Sequence, residues 1–165
     1  MTLWLLIPIL VVVVLVQITL LPPTPILGLR IDLPLIVVVT WGMFAPFGEA
    51  AHWGFIAGML LDVASGLPFG IHTLTLTLIG LGIGFGQATF FRGNLIAPPL
   101  AMLLATLFDH VLILGCLSLF GWQIAWNAYL MRVTLLTALL NTVALPFAYL
   151  PLQWLHRRLR PQLDV

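Results

Sequence analysis

The stretch Gly54–His72, GFIAGMLLDVASGLPFGIH, places Asp62 among apolar residues and then breaks into a turn within a few positions. Ala51, Gly54, Gly58, Asp62 and Ser65 recur at three- or four-residue spacing, so on a helix they share one face. A carboxylate at mid-membrane costs about 2.5–3.5 kcal/mol on insertion scales, which directs Asp62 toward a neighbouring helix or water and away from lipid. Gly66 suits a helix C-cap, and Pro68 and Gly70 punctuate the turn before the next apolar run. At that position Asp62 can accept hydrogen bonds from the turn or from His72 and so fasten a helical hairpin. The alternative use of Asp62 is direct binding of a partner or ligand.

The rest of the chain makes the membrane the right frame. Of its 165 residues 62% are hydrophobic and 7% charged, and the mean hydropathy is +1.18, outside the range of soluble domains. A net charge of +1 without any lysine leaves no basic face to follow nucleic acid. Cys116 is the only cysteine, which excludes an internal disulfide or a thiolate metal cluster. The opening MTLWLLIPILVVVVLVQITLLPP lacks a basic n-region and an A-x-A site, so it is expected to be a retained first span.

A span needs roughly 20 apolar residues. By that ruler helices fall near Leu3 to Leu21, Leu33 to Phe47, Ala50 to Val63, Ile71 to Phe91, Leu95 to Phe120 and Tyr129 to Leu155. The second and third are short and could form one long helix, although Pro46, Gly48 and Glu49 favour a turn between them. The expected fold is therefore an all-α integral membrane protein, a bundle of about six transmembrane helices forming a single domain over residues 1–165. With six spans, Arg157, Arg158 and Arg160 mark both termini as cytoplasmic. Arg92 then falls inside, Arg30 outside, and Arg132 near an outer helix end where it can snorkel. Trp4, Trp53 and Trp154 are expected at the inner interface and Trp122 and Trp126 at the outer one; Trp41 alone does not fit this pattern.

Helices in lipid associate through small residues and a few polar contacts. The fourth helix offers Thr73, Thr77, Gly80, Gly84 and Ala88, and the fifth offers Ala101, Ala105, Asp109 and Cys116. Asp109 lies deeper than Asp62. It is expected to hydrogen-bond across the bundle to Thr134, Thr137 or Asn141, or else to be a protonatable functional group. Adjacent helix positions point about 100° apart, so Asp109 and His110 do not readily share one target.

Few features of the sequence point to catalysis. His52, His72, His110 and His156 show no metal-ligand spacing. GLGIGFG is neither a dinucleotide fingerprint nor a P-loop, and no G-x-S-x-G occurs. Two intramembrane aspartates raise an aspartyl protease, but LLDVA and LFDHV lack the asparagine-containing motifs of lipoprotein signal peptidases, and no GxGD is present. The chain is expected not to be an enzyme and to use no cofactor.

RIDLPLIVVVTWGMF followed by GFIAGMLLDVASGLPFGIHTLTLTLIG resembles the MreD family of rod shape-determining proteins. The likeness lies in Asp32 and Leu33 opening the second helix, then Gly54, Phe55, Gly58 and Asp62, then the turn ending in Gly70 and His72. It departs at FAPFGEA, where an acid stands at a position that is commonly basic. The resemblance implies a non-enzymatic scaffold in the bacterial cytoplasmic membrane. Its partners would be MreC and, directly or through it, MreB filaments, RodA and a penicillin-binding peptidoglycan synthase. The family is similar in architecture to the substrate-binding subunits of energy-coupling-factor vitamin transporters, which supplies the alternative function. The bulky VVVVLVQITLL lacks the alanine spacing such subunits use on their first helix. Gly54, Gly58, Asp62, Gly66, Pro68, Gly70, His72, Gly80, Gly84 and Asp109 are the candidate residues for helix packing or partner contact.

Overall fold

The computed structural model describes residues 3–20, 31–91, 94, 96–126 and 129–159. Arg30, Arg92, Arg160 and the side chain of Trp4 lie outside the described residues. The described chain is all helical: α1 (Leu3–Leu20), α2 (Leu33–Gly42), α3 (Glu49–Ser65), α4 (Ile71–Phe90), α5 (Ala97–Leu119) and α6 (Leu135–Leu159), the last entered through a π-helical turn, Tyr129–Thr134. Two stretches, Ala97–Leu119 and Tyr129–Arg158, are long and apolar enough to cross a membrane.

Helix ends follow from local chemistry. Prolines 98 and 99 sit in the first turn of α5, where a missing N–H costs nothing, and Pro34 does the same in α2. Gly66 and Gly70 adopt left-handed backbone, at φ 70° and 104°, and so end α3 and start α4 four residues apart.

The α2–α3 region resolves into two helices, and α2 is shorter than the sequence suggests. It stops at Gly42, not Phe47, and its 10 residues span only about 15 Å, half a bilayer core. The glycine lies where a Cβ would stand 2.8 Å from Ile83 Cγ2 and 2.9 Å from Ala50 Cβ. The chain after it turns through Pro46 and Gly48 into α3.

This short helix is the centre of the molecule. Every residue from Pro34 to Gly42 is buried, and α1, α3, α4, α5 and α6 all pack against it. LPLIVVVTWG is apolar on all sides because protein covers all sides. Trp41 is fully buried, its ring stacked on Trp53 at 4.3 Å and 18°, with His156 edge-on at 5.6 Å. Trp53 is thus a core residue and not the interfacial anchor expected; its place on the α3 face that meets α2 removes it from lipid. Trp122 and Trp154 are exposed, and Arg158 lies 5.1 Å above the Trp154 ring. Because Trp41 and Trp53 share one packed stack, Trp41→Phe should cost about 1–2 kcal/mol through lost contact area, read as a lowered melting temperature in detergent.

Candidate functional site

The chemistry gathers at one end of the bundle, beginning with α3 and α4, which form the most extensive helix pair in the molecule. Their backbones meet almost without side chains between them. A Cβ on Gly58 would lie 2.6 Å from the His72 carbonyl oxygen and the Thr73 nitrogen. A Cβ on Gly54 would overlap the Leu76 carbonyl, and one on Gly80 the Ala50 carbonyl. Gly84 is looser, with neighbours no nearer than 3.6 Å.

Such close approach brings Asp62 onto the start of α4. That helix begins Gly70-Ile71-His72-Thr73, with no side chain at its own N-cap to receive the first N–H groups. Asp62 supplies what is missing. Its Oδ2 accepts from the backbone N–H of Gly70 at 2.9 Å and of Thr73 at 3.0 Å, and from the Thr73 hydroxyl at 2.6 Å. Its Oδ1 accepts from the backbone N–H of His72 at 2.9 Å and from His72 Nδ1 at 3.0 Å. A carboxylate at a helix N-terminus also meets the positive end of the helix dipole. Both Asp62 and His72 are buried. Pro68 lies half-buried in the turn they close.

A second polar cluster holds the start of α2. The Leu33 N–H donates to Gln17 Oε1 of α1 at 2.9 Å, and the Asp32 N–H donates to Asn141 Oδ1 of α6 at 2.9 Å. Asn141 Nδ2 in turn donates to Thr106 Oγ1 of α5 at 3.2 Å. His110 Nε2 stands 3.7 Å from Asp32 Oδ2, and its Nδ1 lies 3.0 Å from Thr134 Oγ1. Asn141 is fully buried and bonded from both ends of its amide, so Asn141→Ala should remove one hydrogen bond to α2 and one to α5 and cost about 2 kcal/mol. Differential scanning fluorimetry of the purified chain checks this.

Asp109 departs from expectation. Of the residues expected to receive it, Thr134 is engaged by His110 and Asn141 by Asp32 and Thr106, while the Thr137 hydroxyl has no hydrogen-bond partner among the described residues. The helical step between neighbours explains the swap: His110 meets Thr134 at the entry to α6, and Asp109, turned about 100° from it, has the Thr75 hydroxyl of α4 beside it. Asp109 is buried, and its Oδ1 has no hydrogen-bond partner among the described residues.

Between the two clusters a cavity of about 620 Å³ opens, walled by α1, α3, α5 and the start of α6 and containing His72 and His110. On the outer face of α4 and α5 lies a shallower, almost wholly apolar groove of about 760 Å³, with Gly82, Gly86, Ala101 and Ala105 along it. Among the described residues no three His, Cys, Asp or Glu side chains are grouped so as to hold a metal ion. Sequence reasoning missed Gln17 and Thr75. The available signal for Gln17 was its being the one amide in an otherwise apolar first helix.

No curated protein and no solved structure matches the chain. The family model for the rod shape-determining protein MreD matches residues 1–159, almost the whole sequence. A helical chain with membrane-length apolar helices, its polar groups turned inward around a buried α2, is consistent with that match. The chain therefore belongs to the MreD family of rod shape-determining membrane proteins.

Proposed function

We propose that this chain is a multi-pass scaffold of the cell-elongation complex, with both termini cytoplasmic and one domain over its length. In this reading it binds the single span of an MreC-type protein and, through it, helps couple MreB filaments to RodA and its penicillin-binding synthase. Membership of the MreD family is the observation that carries the reading. The interior supports it. Asp62, Asp32, His110 and Asn141 are spent on fastening helices, which suits a protein whose product is a shaped surface. The vitamin-transport alternative has no support beyond architectural analogy.

The surface assigned to the partner's span is the α4–α5 groove. Membrane helices associate where small residues let backbones approach, and Gly82 and Gly86 on one wall face Ala101 and Ala105 on the other. Phe85, Leu100 and Leu104 are exposed along it. A Cβ at Gly82 would meet nothing within 4 Å, so bulk there is tolerated by the isolated chain and felt only by what docks. Gly82→Leu is expected to leave melting unchanged and to lower recovery of the MreC-type partner about tenfold, equivalent to ~1.4 kcal/mol. Full partner recovery would remove the groove from the account. The functional reading itself is tested by depletion: rods should round up as the chain is lost, and rods that persist after complete depletion would refute it.

A further inference from the structure

The cavity between the two polar clusters carries two groups that the fold leaves unused. Gln17 is 2% exposed, and its Oε1 accepts the Leu33 N–H, which fixes the amide with Nε2 as a donor. That Nε2 has no partner among the described residues. Thr137 is 1% exposed, and its hydroxyl likewise has none. Both side chains line the cavity. Burying an unpaired donor costs roughly 1–3 kcal/mol, so two of them on side chains that line one cavity, Gln17 from α1 and Thr137 from α6, mark a place where something else supplies the acceptor.

The remaining wall narrows what that is. No Arg, Lys, Asp or Glu lines the cavity among the described residues; the carboxylates of Asp62 and Asp32 stand behind the lining His72 and His110, and that of Asp62 is fully engaged by α4. Apart from His72 and His110, the lining is made of side chains that carry no charge at neutral pH. Leu61, Ile113, Leu114, Leu117 and Val133 provide apolar surface, and the exposed indole of Trp122 stands at the rim. A volume of about 620 Å³ falls in the range of small-molecule sites, ~300–1,000 Å³.

We infer that this cavity binds a neutral amphiphile, an apolar chain bearing an ester or amide carbonyl, with the carbonyl oxygen accepting from Gln17 Nε2 and Thr137 Oγ1. The same chemistry is offered by the acyl ester of a membrane lipid and by a free amide. The site is independent of the scaffold reading, since it is assayed on the chain alone.

The test uses the full chain in nanodiscs of phosphatidylethanolamine and phosphatidylglycerol, with a diazirine-bearing monoacylglycerol as photoprobe and peptide mapping of the labelled residues. Labelling is expected at Ile113, Leu114 or Leu117. Competition by unlabelled monoacylglycerol alone assigns the site to a lipid ester, and competition by N-octylacetamide as well extends it to free amides. Failure of both, or equal competition by palmitate, overturns the neutral carbonyl class. Thr137→Val keeps the shape and removes no internal hydrogen bond, so melting should not fall, while half-saturation of labelling should rise about tenfold. Val133→Phe should abolish labelling by filling the cavity. Labelling outside the cavity, or undiminished in both variants, overturns the proposal.

Discussion

Asp62→Ala is expected to lower the stability of the chain on the order of 4 kcal/mol, a large share of the total for a domain of this size. The loss comes from five hydrogen bonds to one buried carboxylate, three of them from backbone N–H groups that begin α4 and have no cap of their own. Alanine leaves those donors unpaired, buried at His72 and half-buried at Gly70 and Thr73. Asp62→Asn keeps one accepting oxygen but sets an amide NH2 against the remaining donors, and about 2 kcal/mol of loss is expected. Melting of the purified variants orders them: native, Asn, Ala. The proposed MreC-type partner should be lost only in proportion to folded protein. A variant that melts like the native chain yet releases its partner would move Asp62 from architecture to binding.

Gly58→Leu should yield no folded protein, and Gly58→Ala should already destabilise by about 3 kcal/mol. Two effects oppose each other at this position. Alanine gains about 1 kcal/mol of helix propensity over glycine. Against that, its Cβ would lie 2.6 Å from His72 O and Thr73 N, atoms of a backbone that cannot swing aside as a flexible side chain would. The same two residues are held by Asp62, so separating α3 from α4 also breaks the clasp. Gly58→Ala combined with Asp62→Ala should therefore cost less than the sum of the two, because both act on one contact. A rise in melting temperature for Gly58→Ala would show that propensity wins and that the helices are further apart than described.

Much of this hairpin could be read from the sequence, and the reason is spacing. Gly54, Gly58 and Asp62 are placed on one face by helical periodicity alone, and Gly66, Pro68 and Gly70 announce the turn. The clasp had a second signal in the missing N-cap of α4. The centre of the molecule was harder to read. In water an apolar stripe separates the buried face from the exposed one, but in lipid both faces are apolar, so nothing in LPLIVVVTWG distinguishes a helix wrapped by five others from one facing acyl chains. Trp41 was the one hint, a tryptophan away from the expected interface, and its stack with Trp53 accounts for it. The partners that spacing suggests for Asp109 are not the ones it has, because the sequence does not say which of two adjacent residues, Asp109 or His110, meets Thr134. Gln17 and Asn141 cap α2 from opposite ends of the chain, and contacts of that separation leave no local pattern.

In the function proposed above, this MreD-family chain works by holding other membrane proteins of the elongation machinery. The most direct test of that function is purification of the tagged full chain from its native membrane in nanodiscs, with quantitative mass spectrometry of what accompanies it. A single-span MreC-type protein is expected near one-to-one with the chain, with cell-wall synthases in smaller amounts. Recovery of transport ATPase subunits in place of such a protein would contradict it.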